Sequence, residues 1–152
     1  MQHVLENIEL KTYEYGFAIY RESVKLRNQI LLEPLDRSEP VSDYDFPEKD
    51  IYIGAFLGER LLGTLVLTPV DSSTAKMRQL AVHERFRKQG IGHALVEKFE
   101  NIARHLGFTK IVLHARESAV LFYKHLDYIR IGKRFVEVDL PHWKMEKNLL
   151  LP

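Results

Sequence analysis

The chain has 152 residues, 45% of them hydrophobic and 28% charged, with a formal net charge of +1. This is the size and balance of one globular domain, expected over residues 1–152, and the near-neutral charge argues against a broad nucleic-acid-binding or membrane-binding surface. There is no cysteine, which excludes disulfides, a thiol nucleophile and thiolate metal ligands, and fits a cytoplasmic protein.

Met1 to Glu6 lacks the basic-then-apolar layout of a signal peptide, and the apolar stretch Leu61–Leu67 is too short to span a bilayer. Val4 to Leu10 reads as a first strand. Thr12 can cap a helix over 13–32, whose seam would be Phe17, Tyr20, Val24 and Leu31. Arg27 falls on that seam, where an apolar residue is expected. Either its stem packs on the core with the guanidinium paired at the edge, or it anchors Glu33 or a substrate carboxylate. Glu33 to Asp50, with Pro34, Pro40 and Pro47, reads as a long loop. Its acidic part, Ser42 to Asp50, hints at a cationic partner.

Ile51 to Leu57 and Arg60 to Thr68 are strands joined at Gly58-Glu59, a type II′ hairpin signal. Thr74 to Val82 is a third, so these three form an antiparallel meander. After Gly90 the period changes. Ile91, Leu95, Phe99, Ile102 and Leu106 share one helical face, with His93, Glu97, Glu100 and Arg104 elsewhere, and Gly107 suits the stop. Thr109 to Ala115 is a strand, Ser118 can cap a short helix to about His125, and Tyr128–Arg134 and His142–Lys147 are final strands. Strand, helix and strand over 74–115 form a crossover unit, which favours parallel pairing of its strands. The expected fold is an α/β mixed sheet with helices on its faces.

Arg85-Phe86-Arg87-Lys88-Gln89-Gly90-Ile91-Gly92-His93-Ala94-Leu95 carries the chemistry. A helix start offers unbonded N–H groups and positive potential. Gly90 and Gly92 let a phosphate approach the main chain, and Arg85, Arg87 and Lys88 add charge. The segment suits a diphosphate. It is not a Walker loop, which needs Gly-Lys followed by Ser or Thr. It is not a dinucleotide fingerprint either, because Leu95 stands where a third small residue belongs. The histidines show no spacing typical of a metal site.

Leu80-Ala81-Val82, Arg87-Lys88-Gln89-Gly90-Ile91-Gly92 and Ala94-Leu95 together resemble the acyl-CoA-binding motif of the GNAT superfamily of N-acetyltransferases. Ala119-Val120-Leu121-Phe122-Tyr123-Lys124-His125-Leu126-Asp127-Tyr128 resembles its second signature. Leu26-Arg27, Ile30, Glu33, Glu137-Val138 and Pro141-His142 are similar to a small bacterial subgroup that includes the ElaA-like proteins. Asp127 departs from the family, which usually has glycine there, but aspartate tolerates the left-handed turn.

The resemblance implies the acyl-CoA N-acyltransferase fold, with the strands flanking the long helix splayed apart. It implies acetyl-CoA as cosubstrate and no metal. The diphosphate would lie on Arg87, Lys88, Gln89, Gly90, Ile91, Gly92 and His93, and the pantetheine arm along Leu80, Ala81 and Val82. An amine of a small molecule or peptide would attack the acetyl carbonyl directly. Tyr123 matches the acid that protonates the leaving thiolate. Arg27 and Glu33 are substrate candidates. Glu33, Asp43, Asp45 and His114 are candidate bases, and a water chain can serve instead. No nucleic-acid or membrane partner is expected, and a homodimer is compatible with the family. The alternative is a non-catalytic acyl-CoA-binding or sensing domain, which would retain the glycine loop and lose the acid.

Overall fold

A computed structural model describes residues 2–37 and 40–150. The chain runs α1 (Gln2–Asn7), β1 (Ile8–Tyr13), α2 (Ala18–Arg27), β2 (Ile51–Leu57), β3 (Arg60–Pro69), β4 (Thr74–Val82), α3 (Ile91–His105), β5 (Lys110–Arg116), α4 (Val120–Lys124), β6 (Ile129–Glu137) and β7 (Leu140–Asn148). The strands form one seven-stranded sheet in the order β1-β2-β3-β4-β5-β7-β6. All neighbours are antiparallel except β4 and β5, which pair in parallel as the crossover requires. This is the expected mixed fold.

The sheet separates two apolar layers. Odd-numbered β4 and β5 residues, Ala75, Met77, Ile111 and Leu113, pack with Ile91, Leu95 and Phe99 of α3. Tyr52 and Val66 turn to the other face and pack with Tyr20 of α2. A strand buried on both faces shows no apolar-polar alternation. β3 follows that rule, being buried from Leu61 to Thr68.

The N-terminal third departs from expectation. Residues 2–7 are helical rather than extended, and β1 starts at Ile8. Leu5 then lies against Gly90, with its Cδ2 3.3 Å from where a Cβ would stand. Thr12 does not cap a helix: it pairs with Ile53 inside the sheet. α2 starts only at Ala18, and Phe17 is 67% exposed rather than on the seam. Its buried residues are Tyr20, Ser23, Leu26 and Arg27. Helical winding continues as a wider π turn, Asn28–Leu32, and a 3-10 turn, Glu33–Leu35, that contains Pro34 and ends at Asp36 with φ +56.

The later boundaries lie closer to expectation. Gly58 has φ +60 and Gly107 φ +90, as their turns demand. Asp127, in place of glycine, adopts φ +72. Ser118 does not cap α4: it sits inside a 3-10 turn, Glu117–Ala119, and Ala119 is the N-cap residue. β6 and β7 are longer than expected because a tight turn at Val138-Asp139, φ +45 and +63, joins them directly. A Val-Asp pair lacks the Asn-Gly signature of such a hairpin. Glu100 and Leu106 exchange the expected sides of α3. Glu100 is buried, accepting from the Tyr128 hydroxyl at 2.8 Å and from Lys147 at 3.0 Å, whereas Leu106 is 51% exposed.

Candidate active site

β4 and β5 pair only from Thr74↔Lys110 to Met77↔Leu113. Beyond that point β4 remains bonded to β3 and β5 remains bonded to β7, but not to each other. The register of β3 and β4 slips between Thr64 and Val66, and Gln79 opposite that slip adopts φ +57. Such a bulge bends its strand and ends regular pairing. The sheet therefore opens between residues 78–82 and 114–116, leaving strand edges with main-chain donors and acceptors toward the gap.

The loop at the end of β4 leads into α3. Lys88 has φ +61 and Gly90, the N-cap, has φ +85. The first α3 bond runs from the Ala94 N–H to the Gly90 carbonyl at 3.0 Å, and among the described residues the amides of Ile91, Gly92 and His93 have no main-chain partner. Arg87, Lys88 and His93 are exposed. Gln89 Oε1 is buried without a hydrogen-bond partner. A Cβ on Gly92 would meet only the Phe122 ring at 3.4 Å and Val82 at 4.0 Å. Unbonded amides, a helix dipole and an uncovered main chain fit a diphosphate, and the free edge of β4 beside them fits an amide-bearing arm.

Tyr123 is buried in the α3-side core, with Phe122 and Tyr128 ring centroids 5.0 and 5.8 Å away. Its hydroxyl makes no hydrogen bond among the described residues, so it is not tied to main chain. Burial pushes its pKa up. It does not line the cavity described next.

A cavity of about 510 Å³ lies at the split. Lys76 to Leu80 of β4 and His114 and Arg116 of β5 form its floor, Leu31, Leu32, Val41 and Tyr44 lie on the α2 side, and Glu137, Val138 and His142 come from β6, its turn and β7. Even-numbered Lys76, Arg78, His114 and Arg116 share the sheet face opposite α3 through strand alternation. The glycine loop opens α3, and the cavity lies on the other face.

His114 Nδ1 lies 3.0 Å from Glu137 Oε1, and His142 Nε2 lies 3.7 Å from Glu137 Oε2. The hydrogen bond from His114 lowers the Glu137 pKa, burial opposes it, and the charges of His114, His142 and Lys76 lower it further. A carboxylate held below its ordinary value of 4.5 contributes stability above that pH and loses it as the pH falls through the lowered value. The stability gap between the wild type and Glu137→Gln, measured by urea unfolding, should therefore close below about pH 4.5. A gap unchanged to pH 3 would remove this coupling.

The other candidates fall elsewhere. Arg27 is fully buried, donating to Asp45 at 2.9 and 3.0 Å and to Gln79 Oε1 at 2.7 Å. Its guanidinium is thus paired inside, not at an edge, and its partner is Asp45 rather than Glu33. Glu33 and Asp43 are exposed and line none of the cavity. Asp45 and Asp50 have side chains 2% and 0% exposed, paired with Arg27 and Arg78. Two of the four acidic residues of Ser42–Asp50 are thus used internally, and Asp43 and Glu48 remain exposed. Of the candidate bases only His114 reaches the cavity. Lys76, Gln79, Arg116, Glu137 and His142 had no role legible from sequence. Charged residues at period two in otherwise apolar strands, Lys76 with Arg78 and His114 with Arg116, were the available signal.

Among the described residues no helix is long and apolar enough to cross a membrane, and no group of three His, Asp or Glu could hold a metal ion. A sequence model described as the Acetyltransferase (GNAT) family matches residues 13–128. A Bacillus subtilis protein, YyaT, is 26% identical over 131 residues, spanning 84% of this chain and 88% of that one. Escherichia coli ElaA has the same fold, with a TM-score of 0.77 at 18% identity over 93% of this chain and 99% of that one. So does a GNAT family acetyltransferase from Elizabethkingia anophelis, solved with acetyl-CoA bound, with a TM-score of 0.72 at 18% identity over 95% and 99%. The family match covers more than half of the chain and agrees with the split sheet and the glycine loop. The chain therefore belongs to the GNAT acetyltransferase family, acyl-CoA-dependent N-acyltransferases that take acetyl-CoA as cosubstrate.

Proposed function

We propose that this enzyme transfers the acetyl group of acetyl-CoA to a primary amine of a small molecule or peptide by direct attack. The observation that carries the proposal is the split between β4 and β5, with a loop of unbonded amides following β4 and a cavity lined by both strands. The diphosphate would sit on the amides of Gln89 through His93, with Arg87 and Lys88 adding charge. The pantetheine arm would extend along Leu80, Ala81 and Val82. The neutral amine forms its N–C bond as the C–S bond breaks, and the electron pair leaves on sulfur. The Tyr123 phenol gives its proton to that sulfur, and the proton lost by the amine passes through solvent and restores the phenol.

Gly92→Ala tests the cofactor half. Gly92 stands in the first turn of α3, where alanine is at least as good a helix former as glycine, and the Cβ meets only ordinary contacts here. The fold should be as stable or more so. The added methyl should still crowd the diphosphate, so calorimetry should give acetyl-CoA affinity about tenfold weaker, or about 1.4 kcal/mol. Unchanged affinity would sink the site. Gly90 is a poorer probe, because its φ of +85 strains any side chain.

A further inference from the structure

We propose that the acceptor is an amine that also carries an acid group, with the amine facing Glu137 and His114 and the acid group held by Arg116 and Lys76. This rests on the acetyl-transfer reading of the same cavity.

The cavity wall has four formal cations, Arg37, Lys76, Arg78 and Arg116, against one carboxylate, Glu137. Two of the cations have carboxylate partners outside the wall. Arg78 lies 3.0 Å from Asp50 and 3.6 Å from Asp45, and Arg37 lies 3.0 Å from Asp139. The other two do not. Among the described residues Lys76 has neither an ion pair nor a hydrogen bond, and the only bond of Arg116 runs from Nη2 to the Leu31 carbonyl at 2.6 Å. Both are partly buried. Burial lowers the pKa of each, and Glu137 counteracts it.

These charges are already partly stripped of water without an anion in contact, and such a charge is costly until it is paired. An incoming carboxylate or phosphate would find that desolvation already incurred. The Arg116 guanidinium has donors left for a planar acid after its bond to Leu31. Glu137, flanked by His114 and His142, is the only carboxylate on the cavity wall and so the one anion there able to draw an ammonium group. The volume suits a molecule with both ends. A plain cationic amine would meet the unpaired Lys76 and Arg116 as repulsion.

The test uses matched pairs: amino acids of several chain lengths against their carboxamides, which keep the amine and lose the acid. Binding to the CoA-loaded protein is read by calorimetry, and turnover with acetyl-CoA by thiol release. The acid members should bind at least about tenfold more tightly than the amides, a modest value for a charge-assisted bond. Arg116→Gln and Lys76→Met should each shrink that preference by weakening acid binding, with amide binding as strong or stronger because a repelling charge is removed. Arg116→Lys, which keeps the charge, should retain part of it if the glutamine variant unfolds. Amides bound as well as acids would overturn the inference, as would substitutions that weaken both members equally. A preference in binding without turnover of any amine would support this inference and count instead against the acetyl-transfer reading.

Discussion

Tyr123→Phe is expected to lower turnover by roughly 100-fold or more while leaving the fold and acetyl-CoA binding intact. The substitution keeps the ring, and with it the packing against Phe122 and Tyr128. It removes a hydroxyl that bonds to nothing among the described residues, so no partner is orphaned. With no hydrogen bond broken, stability should change by about 1 kcal/mol or less. Burial raises the phenol pKa, which keeps it protonated at neutral pH. The same surroundings raise the basicity of a thiolate formed beside it, because both anions suffer the same desolvation. Donation is therefore not blocked by the shift. Melting temperature and rate, measured on one acceptor amine, separate a catalytic tyrosine from a packing one. Full activity in the variant would make solvent the proton source.

Arg27→Met should have its largest effect on stability, about 3 kcal/mol or more. The substitution leaves the apolar stem nearly replaced and strands Asp45, whose side chain is 2% exposed. Asp45 would retain the Tyr20 hydroxyl at 2.7 Å and Arg78 at 3.6 Å, so the loss is not of every partner. Gln79 Oε1 also loses its donor. The bulge that opens the sheet would then lose its tie to α2, and acetyl transfer should weaken with it. Asp45→Asn placed on Arg27→Met should recover part of the stability, since it removes the unpaired charge. Urea unfolding of the single and double variants measures both effects. If Arg27 instead anchored a substrate carboxylate, Arg27→Met would raise KM for the acceptor and leave the unfolding curve in place.

What could be read from the residues was local in cause. The glycine loop was legible because its chemistry is main-chain chemistry, set by Gly90 and Gly92 at a helix start. Thr74–Val82 and the helix from Ile91 were legible because their periods are strong. Their parallel partner followed from the length of the crossover. Asp127 in the left-handed turn followed from the tolerance of one residue type.

The rest depended on partners far along the chain. Thr12 looked like a cap until Ile53 paired with it, because sheet bonding outweighs one side-chain cap. Arg27 was visible as a charge on an apolar seam, but Asp45 and Gln79, which decide its use, lie 18 and 52 residues away. The split in the sheet was expected only from the family resemblance, because it turns on a left-handed Gln79 and glutamine gives no sign of that conformation. The cavity draws on segments near residues 31–37, 41–44, 76–80, 114–119 and 137–142, and none of these has meaning alone. Sequence located the glycine-rich helix start, because a few consecutive residues suffice to leave its amides free. Tertiary structure decided the charge of the cavity, because that depends on which distant ions have already found each other.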